Sequence, residues 1–307
     1  MGEAQALRPG LVSRLRSALS HRGRRGARPA RREEGEYREY LTDEQRRGAG
    51  CIGGRMQTHS GDTTLACARI CDALLAVLLA PACAACNALL DHPTRGPVCP
   101  ACWLSILPLT PPLCDGCGDP LPTWRTISIP LARCARCRRA RRYVDRSRAI
   151  GAYEGALRSI IHALKYDGRR SLAGPLAALM RDRGGELLEG IDAAIAVPLH
   201  PSRRRERGFN QAADLARRLD VPVCPALRRV RATSSQASLP AGRRHGNVRG
   251  AFSLTRAARP LGGKTVVLVD DVSTTGATLE ACARVLKEGG VAEVRALTAA
   301  RVVTRPH

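Results

Sequence analysis

Aromatic residues make up only 3% of this 307-residue chain, and lysine is nearly absent, since only Lys165, Lys264 and Lys287 are lysines. Proteins that hold single-stranded bases use aromatic side chains as stacking surfaces, so base stacking is disfavoured as a main mode of binding. The formal net charge is nevertheless +23, and arginine supplies nearly all of the positive charge. Such a charge favours anionic partners such as phosphates or nucleic acid, although arginines that simply face water explain the excess equally well.

The chain also lacks a long uninterrupted apolar run. The stretch ALLAVLLAPACAACNALL, which begins at Ala73, is broken by Pro81 and by cysteines, whereas a membrane-spanning helix needs about 20 consecutive apolar residues. We therefore expect a short packed helix there and no membrane span. Residues 1–61 have mixed charge and no apolar segment typical of a secretory signal. We expect them to be a disordered basic extension, or to lie partly upstream of a translation start at Met56, in a cytoplasmic protein.

The chain contains 13 cysteines, which without a signal peptide should be reduced thiols and not a disulfide framework. Each Cys-x-x-Cys pair places two thiolates on one side of a tight turn, and two such turns complete a tetrahedral Zn²⁺ site. The pairs are Cys83 with Cys86, Cys99 with Cys102, Cys114 with Cys117, and Cys134 with Cys137. We expect up to two structural zinc ions in a module spanning residues 73–142. Sequential pairing gives two ribbons, while cross-braced pairing and an iron-sulfur cluster are alternatives.

From residue 146 to residue 302, apolar strands alternate with helical segments. We expect strands within SRAIGAYEG from Ser147, at Ile191–Pro198, at Thr265–Val269 and at Val294–Ala299. We expect helices at Ala156–Tyr166, Leu172–Met180, Asn210–Leu219 and Thr278–Glu288. This alternation predicts a Rossmann-like α/β domain, in which helices cover both faces of a parallel sheet. Ligands of such sheets bind at the carboxyl ends of the strands.

One of these strands ends in two carboxylates and a hydroxyl-rich turn, in the stretch VVLVDDVSTTGATLEA from Val266. The N-terminus of the following helix would offer backbone N–H groups and a favourable dipole to a phosphate, and Gly276 permits close backbone approach. Asp270 and Asp271 would lie beside that phosphate and accept hydrogen bonds from vicinal hydroxyls, as in a ribose 5-phosphate. They are also the candidate catalytic residues. The predicted ligand-binding residues are Asp270, Asp271, Ser273, Thr274, Thr275, Gly276, Ala277 and Thr278.

This stretch resembles the phosphoribosyl-pyrophosphate loop of type I phosphoribosyltransferases. VPLHPSRRRERGFNQA from Val197, RATSSQASLPAGRRHGNVRGAF from Arg231 and KYDGRR from Lys165 also resemble the ComF family, so that the resemblance covers roughly residues 73–301. It implies a double zinc ribbon, a type I phosphoribosyltransferase domain and an association with DNA uptake in natural transformation. The implied partners are phosphoribosyl pyrophosphate or a nucleotide, single-stranded DNA and a competence helicase.

The resemblance also assigns roles by position. The loop after Pro198 would bind pyrophosphate, and a mobile flap would close over it. The residues so implicated are His200, Arg207 and Asn210 in the loop, and Gln236, Arg243 and Asn247 in the flap. The implied reaction displaces pyrophosphate from C1 of the ribose, with Mg²⁺ held largely by ligand oxygens. Thr274 stands where 6-oxopurine members of the superfamily place an acid, which argues against hypoxanthine or guanine as acceptor. The alternative is a non-catalytic DNA-binding or helicase-adaptor protein with a vestigial nucleotide site.

Arginines are concentrated directly after the last cysteine pair, at positions 138, 139, 141 and 142. A rigid zinc module would present Arg138, Arg139, Arg141 and Arg142 as one patch. Contacts from such a patch to phosphates would be independent of base sequence and sensitive to salt. This segment is therefore the predicted contact for single-stranded DNA.

Overall fold

The structure, a computed structural model, describes residues 71–75, 79–121, 133–231 and 250–303. The extension predicted over residues 1–61 and the flap residues Gln236, Arg243 and Asn247 lie outside this part of the chain. Within these four ranges, no helix is both long and apolar enough to cross a bilayer. Residues 71–75 are helical, as expected for the segment that leads into the first cysteine pair.

A four-stranded parallel sheet forms the centre of the domain. Its strands are β1 (Arg146–Ala149), β2 (Ala193–Ala196), β5 (Thr265–Ser273) and β6 (Glu293–Arg301). They are arranged in the order β1-β6-β5-β2, so the long strands β5 and β6 lie in the middle. Two short strands, β3 (Leu227–Arg229) and β4 (Phe252–Leu254), form a separate antiparallel pair. Strand β2 pairs with β5 only as far as Val269, whereas β6 pairs with β5 to Ser273, so the carboxyl end of β5 extends beyond β2.

The helices that follow β1 connect the strands and cover both faces of the sheet, and short helices also precede β1. They are α1 (Pro100–Leu104), α2 (Ala135–Arg139), α3 (Gly155–Tyr166), α4 (Ala173–Leu188), α5 (Pro201–Arg207), α6 (Gln211–Ala216) and α7 (Ala277–Glu288). Short 3-10 helices occupy Pro93–Arg95, Arg170–Leu172 and Arg256–Leu261.

Strand β5 separates two apolar clusters because successive side chains of a strand point to opposite faces. Val267 and Val269 pack into the cluster that includes residues of α3, α4 and α6. Val266 and Leu268 pack into the cluster formed with α7 and with the β3–β4 pair. Because both faces of the strand are buried, its sequence is a continuous apolar run, as is typical of strands in parallel sheets.

The cysteine pairs lie on two knuckle-shaped ribbons. A bridge between Ala82 and Leu89 closes the first hairpin, and a bridge between Leu113 and Pro120 closes the second. In each ribbon, the later cysteine pair lies at the start of a short helix, α1 or α2. Gly118 lets the second hairpin approach the sheet, because a Cβ there would lie 2.7 Å from the carbonyl oxygen of Ser147. Its positive φ of 72° also favours glycine.

The strand and helix positions predicted from the sequence are confirmed, but several boundaries differ. The helix predicted to end at Met180 continues to Leu188, and the helix predicted at Asn210–Leu219 covers only Gln211–Ala216. The strand predicted to end at Val269 continues to Ser273. It does so because β6 extends equally far, so that backbone pairing holds the acidic residues in the strand.

Candidate phosphate-binding site and zinc centres

The turn between β5 and α7 forms an open helix N-terminus at the carboxyl edge of the sheet. Gly276 precedes α7 with φ of 79°, a left-handed conformation that side chains with a Cβ rarely adopt. No side chain caps the helix from this position. Nearby, the Ala277 N–H donates a weak hydrogen bond to Thr275 Oγ1 over 3.4 Å. The first-turn N–H groups therefore remain suited to an anionic ligand.

Asp270 is the sixth of the nine residues of β5 and lies on the face that carries α7. Its carboxylate accepts a hydrogen bond of 2.9 Å from the backbone N–H of Asp271. Burial, and then the negative charge of Asp271, raise the pKa of Asp270 to about 7 despite the opposing charges of Lys165 and Arg229. A carboxyl that titrates near neutral pH beside an open helix N-terminus marks this position as a functional candidate.

Asp271 points to the opposite face and is buried. Lys165 Nζ lies 2.7 Å from one carboxylate oxygen, and Gln211 Nε2 donates to the other over 2.6 Å. Burial lowers the pKa of Lys165, but the charge of Asp271 and the hydrogen bond to it raise that pKa overall. Both oxygens of Asp271 are thus engaged within the protein. The ribose contact expected for Asp271 from the sequence stays a prediction, and its observed partners indicate a supporting role.

Ser273, the last residue of β5, is also turned inward. Its hydroxyl accepts a hydrogen bond of 3.1 Å from Nη1 of Arg301, the last residue of β6. Arg301 is only 2% exposed, and its Nε donates to Asp119 of the second ribbon. Of the predicted ligand-binding hydroxyls, those of Thr274, Thr275 and Thr278 belong to partly exposed residues. Ser273 instead fixes the turn to the neighbouring strand.

The segment after β2 brings a row of arginines to the same edge of the sheet. Asn210 donates to the Val197 carbonyl and caps α6 through the Ala212 N–H, which gives it a local structural role. His200 caps α5 by accepting from the Ser202 N–H. The guanidinium of Arg207 lies over the ring of Tyr166 at 5.0 Å. The structure therefore explains the positions of all three predicted loop residues by contacts within the protein, and their ligand roles stay predictions.

The arginine patch predicted after the last cysteine pair is not uniform. Arg138, Arg139 and Arg141 are exposed. Arg142 is turned inward, where its Nε lies 2.8 Å from Glu280 in the first turn of α7, and its side chain is 11% exposed. A shallow cavity of about 390 Å³ lies beside it. Arg142 was predicted to face solvent as part of the patch. This prediction is wrong, because the Arg142 side chain forms an ion pair with Glu280 on α7.

The eight paired cysteines form two clusters in sequential order. The sulfurs of Cys83, Cys86, Cys99 and Cys102 lie within 4.8 Å of one another, as do those of Cys114, Cys117, Cys134 and Cys137. Measured sulfur separations are 3.8 Å between Cys86 and Cys99, and 3.7 Å between Cys117 and Cys134. Tetrahedral zinc with bonds of about 2.3 Å requires sulfurs about 3.8 Å apart. The donor set therefore fits Zn²⁺, and the cross-braced alternative is excluded.

Backbone groups around both clusters favour thiolates. The N–H of Cys134 points at the sulfur of Cys114 over 3.3 Å, and the N–H of Cys99 points at that of Cys83 over 3.3 Å. Hydrogen bonds from Cys117 and Cys137 lower the pKa of Cys114 to about 3. Although burial raises it, hydrogen bonds from backbone N–H groups lower the pKa of Cys83 to about 6. Such hydrogen bonds to sulfur orient metal ligands and stabilise their charged form.

The cysteine-containing segment and the sheet domain each match the model of a known protein family. The double zinc ribbon domain matches residues 74–138, and the phosphoribosyl transferase domain matches residues 205–306. Competence protein F from Haemophilus influenzae is 32% identical over 220 residues, which cover 68% of this chain and 93% of that protein. The chain belongs to the ComF family. Its fold is accordingly a type I phosphoribosyltransferase domain preceded by a double zinc ribbon.

A second relative agrees with this assignment. The DNA utilization protein YhgH from Escherichia coli O157:H7 is 32% identical over 215 residues, which cover 63% of this chain and 93% of that protein. A solved orotate phosphoribosyltransferase from Aeropyrum pernix is 25% identical, covers 47% of this chain and 64% of its own, and superposes with a TM-score of 0.29.

The contacts of several residues at this ComF site could not be predicted from the sequence. Gln211 lies within VPLHPSRRRERGFNQA and Arg142 within the predicted arginine patch, but no local pattern shows that these two residues and Arg301 reach the β5–α7 region. Lys165 had one available signal, because it lies in KYDGRR and is one of few lysines in an arginine-rich chain. A lysine in a chain that otherwise uses arginine is a candidate for a specific ion pair.

Proposed function

We propose that this ComF protein binds phosphoribosyl pyrophosphate, or a related nucleotide, at the β5–α7 turn. The observation that carries the proposal is the arrangement in which Asp270 precedes a left-handed Gly276 and the N-terminus of α7. The helix N-terminus suits the 5-phosphate, because its N–H groups and its dipole favour negative charge. The Asp270 carboxylate suits the ribose hydroxyls, which donate hydrogen bonds to it. Together they fit a phosphate that is one sugar ring away from a diol.

The proposed pyrophosphate group needs cationic partners and a metal ion. Helix α5 follows β2 directly and carries Arg203, Arg204, Arg205 and Arg207 near the same edge of the sheet. Their positive charge would stabilise the negative charge that develops on a leaving pyrophosphate. Mg²⁺ supplies further charge when it is bound, and it dehydrates reluctantly, so the ligand's own phosphate oxygens would hold it.

A transfer reaction is part of this proposal. A nitrogen nucleophile of an amine or base attacks C1 of the ribose, the bond from C1 to the pyrophosphate oxygen breaks, and pyrophosphate leaves with the bonding electrons. Asp270 would hold the ribose hydroxyls while positive charge develops on the sugar. Thr274 in place of an acid argues against a 6-oxopurine acceptor.

The names of the relatives support a role in DNA uptake, since one is a competence protein and another a DNA utilization protein. We place this role in the cytoplasm, where thiols stay reduced and can hold zinc. The exposed Arg138, Arg139 and Arg141 would contact single-stranded DNA through its phosphates. A competence helicase is the proposed protein partner.

Calorimetry with phosphoribosyl pyrophosphate and Mg²⁺ tests the binding step. Asp270→Asn should lower the affinity, and Asp192→Asn is the matched control, because Asp192 pairs with Lys264 at the opposite end of the sheet. Pyrophosphate release over a panel of bases and amines then tests transfer. Binding without release would favour the non-catalytic adaptor, and an absence of binding would refute the proposed ligand.

A further inference from the structure

The buried side chain of Arg301 joins the phosphate turn to the second zinc ribbon. Arg301 and Ser273 are paired residues at the ends of β6 and β5, and Nη1 of Arg301 donates to the Ser273 hydroxyl over 3.1 Å. The Nε of the same guanidinium donates to Asp119, which follows Cys117 and Gly118 in the second ribbon. The Arg301 side chain is 3% exposed and that of Asp119 is 15% exposed. A buried charged pair of this kind transmits a displacement of either partner, because leaving one charge alone is costly.

The position of Asp119 depends on the cysteine knuckle. The Cys114 N–H donates to the Asp119 carbonyl over 2.8 Å, and the Gly118 N–H donates to the Cys114 carbonyl over 2.7 Å. Arg136 on α2 binds the second carboxylate oxygen of Asp119 over 3.0 Å. All of these residues lie within or beside the four-cysteine cluster, so the metal that draws the thiolates together also fixes Asp119.

A second connection reaches the other side of the phosphate turn. Arg142 and Tyr143 follow α2, and both bind Glu280 in the first turn of α7, through the Arg142 Nε at 2.8 Å and through the Tyr143 N–H at 2.8 Å. The Nη2 of Arg142 lies 3.9 Å from the position that a Cβ on Gly276 would take. The turn is therefore held at Ser273 by Arg301, whose partner Asp119 lies in the second ribbon, and at Glu280 by the two residues that follow α2.

The first ribbon is attached to a different part of the domain. Cys83, Leu90, Val98 and Cys102 belong to the apolar cluster beneath α3 and α4. Its hairpin is held by Arg169, whose Nη1 donates to the Ala82 carbonyl over 3.3 Å. The two zinc sites thus differ in what their loss would disturb, and one serves as the internal control for the other.

We propose that metal at the second zinc site, and not at the first, holds the phosphate turn in its binding conformation. Without that metal the four sulfurs, which lie within 4.8 Å of one another, would no longer be drawn together, and Asp119 would move away from Arg301. Arg301 would then lose its charged partner and release Ser273. Loss of zinc from the second ribbon, or modification of its thiols, would therefore prevent ligand binding at the phosphate turn. This inference rests on the proposed function only for its ligand, since the ordering of the turn is a property of the protein itself.

The test compares variants that lose one zinc ion each. Cys86→Ser removes a ligand from the first site and Cys134→Ser removes one from the second, and zinc content is measured on the purified chains. Hydrogen exchange at residues 273–280 should rise in Cys134→Ser and stay at the wild-type rate in Cys86→Ser. Affinity for phosphoribosyl pyrophosphate with Mg²⁺ should fall only in Cys134→Ser.

Because a cysteine variant can unfold its ribbon, a second set of variants keeps all eight thiols. Asp119→Ala should retain both zinc ions, accelerate exchange at the phosphate turn and weaken ligand binding by roughly tenfold or more, as expected for loss of a charge-assisted hydrogen bond. Asp119→Asn keeps an acceptor for Arg301 and should fall between Asp119→Ala and wild type. Asp115→Ala is the matched control, because that knuckle carboxylate pairs with Arg148 at 3.6 Å and not with Arg301.

Unchanged exchange at the turn in Asp119→Ala, or equal acceleration on losing either zinc ion, would overturn the inference. If wild-type protein binds no phosphoribosyl pyrophosphate, the proposed ligand fails instead, and the exchange comparison still decides whether the second ribbon orders the turn.

Discussion

Lys165 and Asp271 form a buried ion pair, 2.7 Å long, at the carboxyl edge of the central sheet. The pair joins helix α3 to strand β5 directly behind Asp270, and Gln211 completes it from α6. An ion pair in this environment needs both charges, since the remaining partner would otherwise be buried without compensation. The pair therefore supports the candidate site and also contributes to the fold around it.

The first prediction concerns this pair. Lys165→Met should lower the free energy of unfolding by about 3–5 kcal/mol, because it leaves the Asp271 carboxylate buried without its cation. Lys264→Met is the matched control, since Lys264 pairs with Asp192 at 3.1 Å but is 50% exposed. Exposed pairs contribute only about 0–1 kcal/mol. Urea denaturation measures both changes, and equal small losses would show that the Lys165 pair is not a structural element.

The pH dependence of stability provides a second prediction. The pKa of Asp270 is about 7 in the folded chain, above its ordinary value of 3.8, so the folded state holds this proton more tightly than the unfolded state. Asp270 therefore lowers the free energy of unfolding as the pH rises from about 4 to about 7. Asp270→Asn should remove this decrease and make the chain more stable at pH 8. Denaturation at pH 5 and pH 8 in both proteins measures the difference.

The same titration should control ligand binding in the opposite direction. An ionised Asp270 accepts hydrogen bonds from ribose hydroxyls and a protonated one does so poorly, so affinity for phosphoribosyl pyrophosphate should rise from pH 6 to pH 8. The phosphates of the ligand also titrate in this range, and Asp270→Asn isolates their contribution. If wild type and variant show the same pH profile of affinity, Asp270 does not contact the ligand in its charged form.

The sequence predicted the position of Asp270 because its surroundings are local. Four apolar residues before the acids and a glycine after them specify a strand, a turn and a helix, whatever the rest of the chain does. The sequence could not predict the partners of the acids. Asp119 and Arg301 are 182 positions apart, and their contact depends on how the second ribbon packs against the end of β6.

Boundaries were missed for a related reason. The apolar run predicted that β5 ends at Val269, but the strand continues for four more residues, three of them polar, to Ser273. Pairing with β6 maintains the extended backbone there, and the order of polar and apolar residues in the sequence does not indicate this pairing. The inward orientation of Arg142 was missed because its partner, Glu280, lies on a helix far along the chain.

A third prediction tests the backbone of the phosphate turn. Gly276→Ala places a Cβ on a residue with φ of 79°, which costs about 1–2 kcal/mol, and it should also weaken ligand binding, since the turn must shift. Gly290→Ala is the matched control, because φ is 90° there but the residue lies at the far end of α7. Both variants should lose stability, and only Gly276→Ala should lose affinity in calorimetry.

Metal content gives a fourth prediction. Purified protein should contain two Zn²⁺ ions, because both four-sulfur clusters have the separation that tetrahedral zinc requires. Cys99→Ser should release one ion and loosen the first ribbon before the sheet domain unfolds. Elemental analysis and absorbance spectra are the measurements. A brown protein with sulfide-derived absorbance would instead identify an iron-sulfur cluster.

The last prediction concerns the exposed arginines of α2 and the residues after it. Because Arg142 binds Glu280, the proposed DNA contact is reduced to Arg138, Arg139 and Arg141. Each phosphate neutralised by an arginine releases a condensed counterion, so binding should weaken steeply with salt and depend little on base composition. Replacing these three residues by glutamine should lower the affinity for single-stranded DNA and flatten its dependence on the logarithm of salt concentration.

A matched triple variant separates a specific patch from the overall charge of +23. Arg158, Arg256 and Arg259 are exposed and lie in α3 and in the 3-10 helix Arg256–Leu261, and their replacement by glutamine removes the same charge. If both triple variants lose DNA affinity equally, net charge and not the ribbon patch attracts the DNA. If wild type fails to bind DNA even at about 50 mM salt, where phosphate contacts are strong, the patch is a solvated surface. A role in DNA uptake would then have to act through a protein partner, because the full chain, including the arginines of α5, would not hold DNA by itself.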